Sequence, residues 1–257
     1  LIFRSIKKWL KIHNSGNLVI ITFIPSPLSI SLIEKISPNI LIYYCANQMS
    51  GHNKQHNKLL KWENKLLYKS DSVFVISELL KENALQYNKN VKKFPGGVEF
   101  ERYEEALNAK YVPEKIKNLK EPIIGYIGAI TEIFDMKLVE YLVSHNADCT
   151  FIFIGPRFIN CSKLSNKKNV ILVDQINKDE LPHFMKKFNV GIIPYVVNDF
   201  TNNVYSSKLN EYLSLGIPVV STNLHEICHF NLINNNVIDV AFDEVSFSHY
   251  LKKNIQY

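Results

Sequence analysis

"YSSKLNEYLSLGIPVVSTNL", residues 205–224, runs a helix start, a helix stop and a strand together without a linker. Ser206 and Ser207 are of the type that caps a helix by accepting hydrogen bonds from its orphan N–H groups. Gly216 suits the left-handed position just past the helix end, and Pro218 prevents continuation. Val219, Val220 and Ser221 then read as a buried strand. Lys208 and Glu211 are three apart, so they share one face in the first turns of this helix. A helix amino end with small residues and a lysine is an anion site. A carboxylate one turn further in is placed to accept hydrogen bonds from sugar hydroxyls, as in dinucleotide folds.

The same rhythm extends in both directions. Upstream in the second half, strands "PIIGYIG", "CTFIFIG", "NVILVD" and "VGIIPY" alternate with helices "DMKLVEYLVSHN" and "DELPHFMKKF". In the first half "NLVIITF", "NILIYYC", "DSVFVIS" and "VKKF" are strands, separated by three helical segments. Nearly continuous apolar strands between helices imply parallel sheets covered on both faces. The fold class is therefore α/β, with two doubly wound, Rossmann-like domains. The polar stretch from Gly96 to Pro122, which has no clear strand, is read as their connection. The expected domains are residues 1–112 and 113–257, with ligands at the carboxyl ends of the strands in the cleft. The first domain opens on a helix, "LIFRSIKKWLKIH", where such domains normally open on a strand, so it is expected to be truncated and to lack its first strand. Gly125 and Gly128 stand at the end of the second domain's first strand, where glycine allows a sharp turn and close approach of the backbone to a bound group.

Composition is that of a globular protein. No apolar run reaches the length of a membrane span, and no signal peptide is present, so a cytoplasmic location is expected. The four cysteines are far apart and read as buried or incidental thiols in a reducing compartment. The net charge of +6 is uneven: residues 1–112 hold 16 Lys and Arg against 9 Asp and Glu, and residues 113–257 hold 14 against 15. The basic half fits either an anionic acceptor or lipid surface, with peripheral attachment to the inner membrane face, or a lysine-rich solvated surface. No nucleic-acid-binding motif accompanies the charge, and no nucleic-acid partner is expected.

These segments together resemble the GT-B glycosyltransferases, in particular the group-1, family-four-like class of bacterial enzymes that build teichuronic acid and other surface polysaccharides. The resemblance rests on "GYIGAITEIFDMKLVEYL", "FIFIGP", "NVILVD" with "DELP", "NVGIIPY" and "SSKLNEYLSLGIPVVST" followed by Glu226. In the first half it rests on "IYYCANQMS", "SDSVFVISELL" and "PGGVEF". It implies transfer of a hexose from a nucleotide-diphosphate sugar to a cell-surface polysaccharide or lipid-linked acceptor, with retention of configuration. No metal or other cofactor is expected, because the lysine and helix terminus replace the metal electrostatically. Lys208 would contact the diphosphate and act in catalysis, and Glu211 would hold the ribose. Gly125 and Gly128 would line the loop under the phosphates, with Ser206 and Ser207 at the helix start. Asp174, Gln175 and Ile176 would flank the base, and Asn203 would lie near the donor sugar. Asn47 and Gln48 would stand on the acceptor side, with His52 as a candidate to position or deprotonate the acceptor hydroxyl.

The sequence departs from the family at several points. Asn203 replaces a glutamate, Ser206 a proline and Asp174 a glycine, and Tyr44–Gln48 lacks both aspartates of a "Y-D-x-x-D-E" stretch. These departures motivate an alternative, a non-catalytic GT-B partner or degenerate fragment that binds nucleotide without acceptor chemistry. A third reading comes from His225-Glu226-Ile227-Cys228-His229, which spells the zinc-protease pattern H-E-x-x-H. That chemistry needs the motif inside a long helix, and the strand ending at Thr222 leaves little room for one. His225 and His229 are expected to be ordinary surface or loop residues.

Overall fold

The computed structural model describes residues 2–13, 16–47 and 54–255. The chain divides into two compact units, Leu1–Gly96 with the short segment Asn202–Tyr205, and Gly97–Thr201 with Ser206–Tyr257.

The first unit runs α1 (Ile2–Ile12), β1 (Val19–Thr22), α2 (Pro27–Ile36), β2 (Ile40–Cys45), α3 (Lys54–Lys69), β3 (Ser72–Val75), α4 (Glu78–Leu85) and β4 (Val91–Lys93). Its strands pair in parallel in the consecutive order β1-β2-β3-β4. Tyr43, Leu66, Val73 and Val75 form the centre of its core. Helix boundaries follow local chemistry. Ser26 and Ser29 make a reciprocal capping box ahead of α2, and the Ser77 hydroxyl accepts from the Leu80 N–H at the start of α4.

The second unit runs α5 (Phe100–Asn108), α6 (Glu114–Lys117), β5 (Ile123–Ile127), α7 (Met136–His145), β6 (Thr150–Ile154), α8 (Ser162–Ser165), β7 (Val170–Val173), α9 (Leu181–Met185) and β8 (Val190–Ile193). It ends with α10 (Asp199–Asn202), α11 (Ser207–Ser214), β9 (Val219–Thr222), α12 (His225–Ile233), β10 (Asp239–Ala241) and α13 (Glu244–Ile255). The sheet is parallel, in the order β10-β9-β8-β5-β6-β7. That order reverses between β5 and β8, which makes the carboxyl ends of these two strands the place where a doubly wound sheet opens a ligand crevice. Strands β5, β6, β8 and β9 are buried throughout, as their unbroken apolar sequences require.

The units divide at Gly96–Gly97, not at 112/113. The polar connection holds helix α5, whose Tyr103 and Ala106, three residues apart, bury one face. Tyr103 joins the second unit's core, and the Lys186 ammonium, at the end of α9, donates to the carbonyls of Ala106 (2.9 Å) and Ala109 (2.6 Å). The stretch therefore belongs to the second unit.

Candidate functional site

Tyr212 fastens α11 to the switch point. Its ring is fully buried, and its hydroxyl lies 3.3 Å from the carbonyls of Gly125 and Ile192 and 3.2 Å from the Ile127 N–H. The phenol thus ties the helix to β5 and β8 together. Gly191 makes room for this ring, since a Cβ there would stand 2.7 Å from it. Gly216 takes the left-handed conformation (φ +67°) that ends the helix turn.

With the helix so held, Lys208 reaches back over the loop that follows β5. Its Nζ donates to the Tyr195 hydroxyl at 2.7 Å and lies 5.3 Å and 5.4 Å from the ring centroids of Tyr195 and Tyr126. The ammonium thus sits at the hydroxyl edge of Tyr195 and close to Tyr126. Gly128 lies directly beneath: a Cβ there would stand 2.6 Å from Lys208 Cε and 2.8 Å from Nζ, and its φ of +118° also favours glycine. The Gly128 N–H donates to the Ile154 carbonyl (2.8 Å) and the Gly155 N–H to that of Val173 (3.0 Å), stitching together the loops after β5, β6 and β7.

Ser206 occupies the N-cap position of α11, but its hydroxyl makes no capping bond, a correction to the expected cap. The Ser206 Oγ is buried without a hydrogen-bond partner, and Ser207 is exposed. The amino end of α11 therefore lacks a side-chain cap, with the Leu209 N–H bonded to the Ser206 carbonyl (3.1 Å), and the partial positive charge of a helix start favours an anion there.

Glu211 faces a different group. It lines a cavity of about 320 Å³ together with Tyr103 of α5, Gly97, Glu99, Arg102 and Lys178. Burial pushes the Glu211 carboxyl above its ordinary value, while the positive charges of Lys208 and Lys178 pull the other way. One wall is braced by ion pairs of Arg102 with Glu99 and Asp179 (3.4 Å to the latter), and of Lys178 with Glu99 (3.6 Å).

Not every expected residue joins this site. Gly125 sits inside β5, where a Cβ would overlap the Phe188 ring, so it serves packing and does not line a phosphate loop. The Asp174 carboxylate is exposed and ion-paired with Arg157, Gln175 is exposed, and Ile176 packs against the core. Asn203 is buried in the segment grouped with the first unit. On the acceptor side, Asn47 is exposed just past β2, whereas Gln48 and His52 lie outside the described residues. The H-E-x-x-H stretch falls on the short helix α12, which begins at His225, and Glu226 in its first turn is buried with 3% exposure. Among the described residues no cluster of three or more His, Cys, Asp or Glu is disposed to hold a metal ion.

Three neighbours were missed from sequence. Tyr195 and Tyr126 looked like strand residues, and Tyr103 lay in the supposed linker. Gly155 could have been found, because it ends β6 as Gly128 ends β5.

Two units, each built on a parallel sheet, the second with a Rossmann strand order and a helix amino end at its switch point, point to a GT-B type of architecture. Comparison with solved structures agrees. The chain is similar to HepE (Alr3699) of Anabaena, crystallised in complex with UDP, at a TM-score of 0.74, 11% identity, and coverage of 97% of this chain and 72% of that one. It is similar to sucrose-phosphate synthase of Thermosynechococcus elongatus at a TM-score of 0.70, 15% identity, and coverage of 98% and 67%. At such identities the likeness shows the fold: the chain has the two Rossmann-like units of GT-B glycosyltransferases. In sequence it is 29% identical over 171 residues to a Bacillus subtilis (strain 168) protein named "Putative teichuronic acid biosynthesis glycosyltransferase TuaH". That match covers 63% of this chain, which spans only 43% of the relative's length. No protein-family model matches the chain.

Proposed function

We propose that this chain is the catalytic body, or part of it, of a glycosyltransferase that binds a nucleotide-diphosphate sugar in its second unit. It moves a hexose, with retention of configuration and without a metal, to a glycan or lipid-linked acceptor of a surface polysaccharide. The observation that carries this reading is the placement of the Lys208 ammonium over Gly128 beside the uncapped start of α11. The departing diphosphate gains negative charge as the glycosidic bond breaks, and preorganised positive groups stabilise that charge where it forms. Lys208 supplies a full charge, and the α11 N–H groups supply partial charges along the helix axis. Glu211 accepts the ribose hydroxyls in the cavity beside Tyr103.

The name of the Bacillus relative supports a polysaccharide acceptor, and the UDP in the HepE complex supports a nucleoside diphosphate as the leaving group. Contact with an anionic lipid surface is supported by α1, which carries Arg4, Lys7, Lys8 and Lys11 together with exposed Ile2, Trp9 and Ile12. Among the described residues no helix is long and apolar enough to cross a membrane.

Thermal melting in the presence of UDP, GDP and their sugars tests the reading. One nucleotide series is expected to stabilise the protein by about 2.7 kcal/mol at a ligand concentration a hundred times Kd, a rise of several degrees in Tm. If neither series moves the transition, the donor site is misassigned.

A further inference from the structure

We propose that a cavity of the first unit, between α3 and α4, binds a small organic cation, a primary ammonium on a short stem, with the Glu63 carboxylate as its counter-ion. The cavity measures about 240 Å³, and none of the residues read above as the donor site lines it. Glu63 lines it from α3 and is only 7% exposed. Its Oε1 accepts two hydrogen bonds from β2, one from the Tyr43 hydroxyl at 2.9 Å and one from the Cys45 thiol at 3.5 Å. Among the described residues no group donates to Oε2, and no cation pairs with the carboxylate. One oxygen of a buried carboxylate is thus left for what enters the cavity. An ionised carboxylate held away from water without a cation is costly, so a cation there gains more than a neutral guest does. Asn64, Asn83 and Gln86 bring amides to the lining, Leu67 and Leu80 bring apolar wall, and among the described residues no second charge lines it. At about 30 Å³ per water the space equals roughly eight waters, enough for a short amine with a polar tail.

The neighbours of Glu63 set when it is charged. Burial raises its carboxyl above the ordinary value, and the hydrogen bonds from Tyr43 and Cys45 pull it back. Burial also pushes the Cys45 thiol up to about 12 and the Tyr43 hydroxyl well above its ordinary value, so both stay protonated donors. On the α4 side the lining is Leu80, Asn83 and Ala84, none of them ionisable, followed by Gln86 and the phenol of Tyr87. An arriving ammonium therefore meets one negative partner and no repelling charge. It favours the ionised carboxylate, so binding lowers the Glu63 midpoint. The amine is held above that midpoint and released as pH falls through it. A neutral molecule of the same shape makes only amide and apolar contacts, and it leaves the midpoint in place.

The probes are 5-aminopentanol and its neutral counterpart pentanediol, added to the full chain without nucleotide. Carbon-13 NMR follows the Glu63 side-chain carboxyl through a pH titration, and calorimetry gives the affinity on either side of the midpoint. With the amine at about ten times its Kd, the midpoint is expected to fall by about one pH unit, and with the diol to stay where it was. Glu63→Gln keeps an oxygen for Tyr43 and Cys45 while removing the charge, and it is expected to weaken the amine at least about tenfold. Should that variant fail to fold, the comparison of amine with diol on wild type decides alone. A midpoint that the amine does not move overturns the proposal, as does an amine affinity above the midpoint no better than that of the diol. Glu63 is then a buried acid that tethers α3 to β2 and binds nothing. Equal amine affinity in wild type and a folded Glu63→Gln overturns the proposal as well, by placing the amine elsewhere.

Discussion

Lys208→Met is expected to weaken nucleoside-diphosphate binding by about tenfold to a hundredfold while leaving the melting temperature in the absence of ligand nearly unchanged. Methionine keeps most of the unbranched stem that lies against Gly128 and between Tyr126 and Tyr195, so the packing of the loop survives. Only the ammonium disappears, and with it the hydrogen bond to the Tyr195 hydroxyl. A hydrogen bond to a charged group contributes about 1.5–3 kcal/mol, which sets the range given. Transfer should fall by at least the same factor, because charge on the diphosphate grows toward the transition state and the lost interaction is strongest there. Lys208→Arg is expected to recover only part of the binding, since a planar guanidinium is bulkier than the ammonium that lies close to Gly128. Calorimetry with UDP or GDP, whichever stabilises the wild type, gives the comparison. Equal affinity in wild type and Lys208→Met would remove the lysine from the site.

The strand–helix order was legible because the two kinds of element differ sharply in pattern here. Buried strands such as Ile123–Ile127 and Thr150–Ile154 are apolar without a break, whereas Met136–His145 shows helical spacing with a polar face. Lys208 stood out because a lysine follows two serines at a helix start, a local pattern. What could not be read depends on contacts between residues far apart in the chain. Tyr103 lies in a stretch rich in glutamate, and its burial shows only once α5 packs against α9 and α11. Tyr195 follows a buried strand, and nothing in its neighbours reveals that its hydroxyl will meet an ammonium thirteen residues away. Gly125 and Gly128 look alike in sequence. One makes room for Phe188 and the other for Lys208, and only the fold separates a packing glycine from one beside the site.

Gly155→Ala is expected to cost the second unit about 2–4 kcal/mol, lowering its Tm by roughly 5–10 °C. Two penalties add. The residue has a φ of +143°, a backbone conformation that side chains rarely adopt, and a Cβ there would overlap the carbonyl oxygen of Gly128. A clash with a flexible side chain is relieved by rotation, but a peptide carbonyl moves only if the loop moves. That loop is held by the hydrogen bonds from Gly128 N–H to Ile154 and from Gly155 N–H to Val173, so displacement strains both. Gly216→Ala separates the two penalties. Its φ of +67° is also left-handed, but nothing lies within 4 Å of the added methyl, so only the backbone cost of about 1–2 kcal/mol applies. The two variants should differ in ligand binding as well. Gly155→Ala pushes on the residue beneath the Lys208 ammonium and should weaken UDP even where the protein remains folded. Gly216 lies at the far end of α11 and should leave affinity intact. Melting curves paired with affinity measured well below both transitions decide the matter. If the two variants melt alike and bind alike, the contact between Gly155 and the Gly128 carbonyl yields easily and does not set the height of the loop after β5.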